Sequence, residues 1–111
     1  MTKSTTLLIL TLAAILEAGG DALVRTGLQS SQALTRGLFF AAGAVVLFAY
    51  GWTVNTPPWS FGRLLGLYIV LFFVVSQAMS WIFFHEVPNR SMWIGGALIL
   101  AGGAVLAVAN A

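Results

Sequence analysis

A chain of 111 residues that is 59% hydrophobic and 7% charged lacks the polar groups to cover a water-facing surface, since soluble domains carry about 25% charged residues. The net charge is only +2, and the five basic residues are scattered, which leaves no basic patch for a nucleic acid. The absence of cysteine removes disulfides and thiolate metal sites without fixing a redox compartment. Lipid is the solvent that suits such a surface. At about 20 apolar residues per crossing, the length accommodates four spans. The expected fold is all-α, a single integral membrane domain over residues 1–111 with helices near 5–25, 37–54, 61–84 and 91–109.

The first span, Leu7–Arg25, reads LLILTLAAILEAGGDALVR. Lys3 followed by an apolar run mimics a secretion signal. The acids within that run, and the lack of a small-x-small exit in a polar segment, point to a retained helix. Ser4, Thr5 and Thr6 are its candidate caps. Glu17 lies within about 3 Å of mid-depth at 1.5 Å rise per residue. Positions 17, 20, 21 and 24 share one face, and Gly19 and Gly20 let another backbone approach beside the acid.

Polar Thr26–Thr35 reads as the first loop. The second span, Gly37–Thr53, is rich in small and aromatic residues, and Pro57-Pro58 cannot continue it. The third, Phe61–Phe84, has Tyr68, Ser76, Gln77 and Ser80 as polar interior positions. His85–Arg90 forms a loop, and the fourth span, Ser91–Val108, carries no charge. Tryptophans 52, 59, 81 and 93 all fall at expected span ends, as in the aromatic belts of membrane proteins. Lys3 and Arg63 mark one side of the membrane and Arg25, Arg36 and Arg90 the other. That bias is too small to choose an orientation, so both are expected.

Glu17 and Asp21 sit one turn apart, and Arg25 one turn beyond. Ionisable groups at such depth are costly and mark transport paths or proton relays. Pairing of Arg25 with Asp21 would leave Glu17 to hold either a proton or a cation, the minimum device for coupled antiport. The alternative is that Glu17 hydrogen-bonds Gln77, Ser76 or Tyr68 and only holds helices together. Tyr68 offers an aromatic face to a lipophilic cation, and Gln77 can orient a carboxylate; ordinary interhelical hydrogen bonding is open to both. The pairs Gly95-Gly96 and Gly102-Gly103 recur at seven residues and place a small stripe on the fourth helix. We read it as a dimer seam, with packing inside one protomer as the alternative. His85 and Glu86 are too isolated to suggest a metal, with Glu86 expected to pair with Arg90. No cofactor is implied, and no nucleotide fingerprint or catalytic triad suggests an enzyme.

Two segments, LEAGGDALVR (16–25) and SWIFFHEVPNRSMWIGGALILAGGAV (80–105), resemble the small multidrug resistance family of the drug/metabolite transporter superfamily. Glu17, Gly20 and Arg25 match the acid, glycine and basic residue of the family's first helix. Gly95 and Gly102 match the glycines of its helix-four dimer contact. The chain departs from the pattern at Tyr68 and Leu65, where multidrug members carry a tryptophan and a tyrosine. It departs again at Val70 and Phe72, which replace glycines, and at Asp21, which has no acidic counterpart.

The resemblance implies an antiparallel, dual-topology homodimer in the inner (plasma) membrane, embedded among membrane lipids. The helix-one acids would bind proton and substrate in alternation, and the substrate would be a lipophilic or guanidinium-type cation. The expected function is thus proton-coupled export by antiport, with Glu17, Asp21, Tyr68 and Gln77 as substrate and proton ligands and Arg25 as tuning partner. A carrier of a lipid or lipid-linked metabolite, a half-transporter needing a second subunit, and a channel are the competing readings.

Overall fold

In hydrocarbon no water satisfies backbone N–H and C=O groups, so each span must close its own hydrogen bonds as a helix. The computed structural model describes residues 2–109, with side chains to residue 107. It holds α1 (Lys3–Gln29), α2 (Ala33–Val54), α3 (Phe61–Phe84) and α4 (Arg90–Ala109). All four are long and apolar enough to cross a membrane, and there is no strand among the described residues. The chain is an all-helical, multi-pass membrane fold.

The helix ends follow local chemistry. Thr2, rather than Ser4, Thr5 or Thr6, caps α1 by accepting a hydrogen bond from the Thr5 amide at 3.1 Å. Most of the expected 26–35 loop is helical instead. Thr26 Oγ1 donates to the Ala22 carbonyl and Ser30 Oγ to the Thr26 carbonyl, so these hydroxyls bond the helix instead of competing with it. Gly27 is buried there against the Phe40 ring, which a Cβ would approach to 2.7 Å. Packing against α2 therefore carries α1 beyond its apolar run, to 27 residues or about 40 Å. At the far side, α3 ends at His85, which adopts the left-handed conformation (φ 56°). Asn89 Oδ1 accepts the Met92 amide at the start of α4.

α1 is the centre of the assembly. It packs against α2 and α3, and α3 packs against α4; the α2 and α3 backbones stay apart, and side chains such as Val54 and Tyr50 of α2 reach across to Leu64 and Tyr68 of α3. The result is a slab of 50 × 35 × 19 Å. Lipid tails are as apolar as leucine, so tight backbone approach holds transmembrane helices together. Gly20 and Gly43 supply it between α1 and α2. A Cβ on Gly20 would lie 2.7 Å from Leu47 Cδ2, and one on Gly43 would lie 3.2 Å from the Gly20 carbonyl oxygen. The sealed core lies toward the Lys3 end of α1, where Leu10, Ala13 and Ala14 meet Val54, Leu64 and Leu67.

Candidate functional site

The midpoint of α1 is Leu16, and Glu17 follows it. Its half-buried side chain enters a chamber of about 260 Å³ formed with Tyr50 of α2 and Leu65, Tyr68, Ile69 and Phe72 of α3. Tyr68, only 4% exposed, donates its hydroxyl to Glu17 Oε1 at 2.8 Å. Tyr68 is thus the partner that Glu17 selects from the three polar residues facing it in sequence. The rings of Tyr50, Tyr68 and Phe72 form a continuous wall, with centroids 5.7 Å apart from Tyr50 to Tyr68 and 6.1 Å from Tyr68 to Phe72. A carboxylate beside three aromatic faces is suited to a monocation, because rings attract positive charge over their faces.

Asp21 lies one turn further along α1 in a separate vestibule of about 310 Å³, with Arg25, Ser76, Gln77, Phe84 and Glu86 among its walls. Gln77 therefore accompanies Asp21, while Tyr68 accompanies Glu17. The Arg25–Asp21 ion pair that the spacing suggests is not formed. The Arg25 guanidinium lies over the Phe84 ring, 5.4 Å from its centroid. Glu86 likewise takes a hydrogen bond from Ser80 Oγ, at 3.0 Å, in place of an Arg90 pair. Among the described residues no three His, Cys, Asp or Glu side chains cluster as a metal site would require.

Tyr50 and Phe72 belong to the site although sequence reasoning passed over them. Phe72 is four residues after Tyr68 and so on the same face of α3. Tyr50 is the one hydroxyl-bearing aromatic of α2, a signal hidden among its phenylalanines and tryptophan.

The glycine stripe of α4 divides by face. A Cβ on Gly96 would meet the Phe73 ring of α3 at 2.8 Å, and one on Gly103 would collide with Val70, whereas Gly95 and Gly102 have nothing within 4 Å. Half of the stripe thus packs inside the protomer, which corrects the reading of both pairs as one seam.

The family model described as "Uncharacterised BCR, YnfA/UPF0060 family" matches residues 2–111. The chain belongs to the YnfA/UPF0060 family. UPF0060 relatives include a membrane protein of Nocardia farcinica, 36% identical over 108 residues, covering 96% of this chain and 94% of the relative. Another, from Herpetosiphon aurantiacus, is 33% identical over 97 residues, or 86% of each chain. The UPF0060 membrane protein YfjF of Bacillus subtilis is 32% identical over 103 residues, or 91% of each chain. No solved structure matches the chain. UPF0060 relatives are named membrane proteins, in keeping with the four spanning helices here.

Proposed function

We propose that this UPF0060 member is a proton-coupled exporter of small lipophilic or guanidinium-type cations, working as an antiporter in the inner (plasma) membrane. The observation that carries the reading is the Glu17 carboxylate at mid-span in an aromatic chamber, held by one hydroxyl. Proton and cation are alternative occupants of that carboxylate. A bound cation takes the place of the proton and gains the faces of Tyr50, Tyr68 and Phe72; reprotonation expels it. The resemblance to the small multidrug resistance family adds support, as does the near-even charge of the two membrane faces. Two copies related by inversion would place two Glu17 side chains about a shared midplane path, and rocking around it would alternate access. The open Gly95–Gly102 face of α4 is the surface on which the second copy would seat.

The test is uptake of tetraphenylphosphonium or a guanidinium compound into proteoliposomes under an imposed pH gradient. Glu17→Gln keeps the shape and the hydrogen bond from Tyr68 but cannot exchange a proton. Gradient-driven uptake is expected to vanish in this variant, and retained uptake would overturn the reading. A second reading, carriage of a lipid or lipid-linked metabolite, draws on the groove of about 270 Å³ between α3 and α4, whose walls are apolar apart from Gln77. Competition by such lipids for uptake, with cations inert, would favour it.

A further inference from the structure

The chamber at Glu17 and the vestibule at Asp21 share a single lining residue, Phe72. Toward the Lys3 end the chamber is closed by the packed core of Leu10, Val54, Leu64 and Leu67. Its lateral opening lies between α2 and α3, whose backbones stay apart. Within one protomer, the vestibule is the approach to Glu17 that carries polar groups, with Arg25 and Glu86 exposed at its outer end.

The vestibule is suited to receive such a cation. Asp21 is exposed to the cavity and has neither an ion pair nor a hydrogen bond among the described residues. The neighbouring guanidinium is engaged with Phe84. Phe72 is half-buried and held by its stack on Tyr68, at an interplanar angle of 27°. An aromatic side chain in that position blocks or admits by a change of rotamer, and a ring moved off its preferred rotamer returns without any backbone shift.

We propose that Phe72 is a gate between two carboxylate stations in series: a cation rests first at Asp21 and passes from there to Glu17 when the ring turns aside. The ring thereby sets which cations pass and slows proton exchange between Glu17 and the vestibule. The assignment of a cargo rests on the cation-exporter reading; the partition itself does not, and the test separates the two.

The natural chain has no cysteine, so a single introduced thiol reports on one site. Leu65→Cys places a thiol on the chamber wall and Ser76→Cys one on the vestibule wall. A permanently charged, membrane-impermeant methanethiosulfonate reagent is added to the full-length protein in sealed proteoliposomes. Ser76→Cys is expected to label quickly and Leu65→Cys slowly. Adding Phe72→Ala should accelerate Leu65→Cys by about tenfold or more, the factor that a barrier of about 1.4 kcal/mol represents, and leave Ser76→Cys unchanged. Equal labelling of Leu65→Cys with and without Phe72→Ala would overturn the gate, as would Leu65→Cys labelling as fast as Ser76→Cys in the native-ring background. Phe72→Val carries the same comparison if the alanine variant does not fold. In cation uptake assays on vesicles holding the unsubstituted chain, absence of transport with the labelling pattern intact would reject the exporter and keep the gate. Intact transport without the labelling difference would do the reverse.

Discussion

Tyr68 and Glu17 form an interhelical side-chain hydrogen bond that links the midpoint of α1 to α3. Hydrogen bonds in membrane proteins average about 0.6 kcal/mol and reach about 1.7 kcal/mol. A carboxylate acceptor puts this one at the upper end. A double-mutant cycle of Tyr68→Phe and Glu17→Ala, read by unfolding in detergent, is expected to give a coupling of about 1.5 kcal/mol; a coupling near zero would show that the pair is not formed. Thr6 is a second case at this scale. It is fully buried and its hydroxyl has no partner among the described residues, whereas Thr11 and Thr26 bond the carbonyl four residues back. Thr6→Val keeps the shape and removes the unmet hydroxyl, so it should stabilise the protein by about 1 kcal/mol, seen as a rise in thermal midpoint. The acid at Glu17 was legible in the sequence because its type and depth are both rare. The role of Phe72 was not, because a phenylalanine in an apolar helix is ordinary until two cavities are seen to meet at it.

At the scale of elements, the α1–α2 hairpin is held by glycines rather than by large side chains. Gly43→Val places methyl groups where Val24 Cγ2 already lies within 2.7 Å of a Cβ. Overpacking of this kind costs about 1–3 kcal/mol, and the loss should appear as reduced thermal stability in detergent. Gly37→Val and Gly51→Val, where a Cβ meets nothing within 4 Å, should have a smaller effect. Helix existence, and the whole of the third span, could be read from hydropathy and from the Pro57-Pro58 stop. The first loop could not. Thr26, Ser30 and Gly27 look like loop residues in sequence, but hydroxyl back-bonding and the fit of Gly27 against Phe40 hold the helix through them. Arg25 shows the same limit: one-turn spacing allows a pair with Asp21, and only the position of the Phe84 ring decides where the guanidinium goes.

The whole molecule is a flat slab whose α4 packs against α3. Large apolar side chains stay exposed on every helix, from Leu8 on α1 to Val105 on α4. Lipid covers such surface in a membrane, and the small, open positions on α4 admit another helix at close range. The two halves of the glycine stripe then separate by experiment. Gly102→Leu has room within the protomer and should weaken self-association in detergent without lowering protomer stability. Gly96→Leu collides with Phe73 and should lower stability itself. Equal effects of both on association and stability would assign the whole stripe to the protomer. From sequence the stripe was visible as a repeat of seven, but its division into an inner and an outer face depends on how α4 is rotated against Phe73 and Val70.

The central claim is that one mid-membrane carboxylate trades a proton for a cation. Its most direct test is proton release from lightly buffered, detergent-solubilised protein on addition of tetraphenylphosphonium or a guanidinium compound. Wild-type protein should acidify the solution in proportion to cation bound, and Glu17→Gln should release none. Cation binding with no proton release from the wild type, or equal release from both proteins, would contradict it.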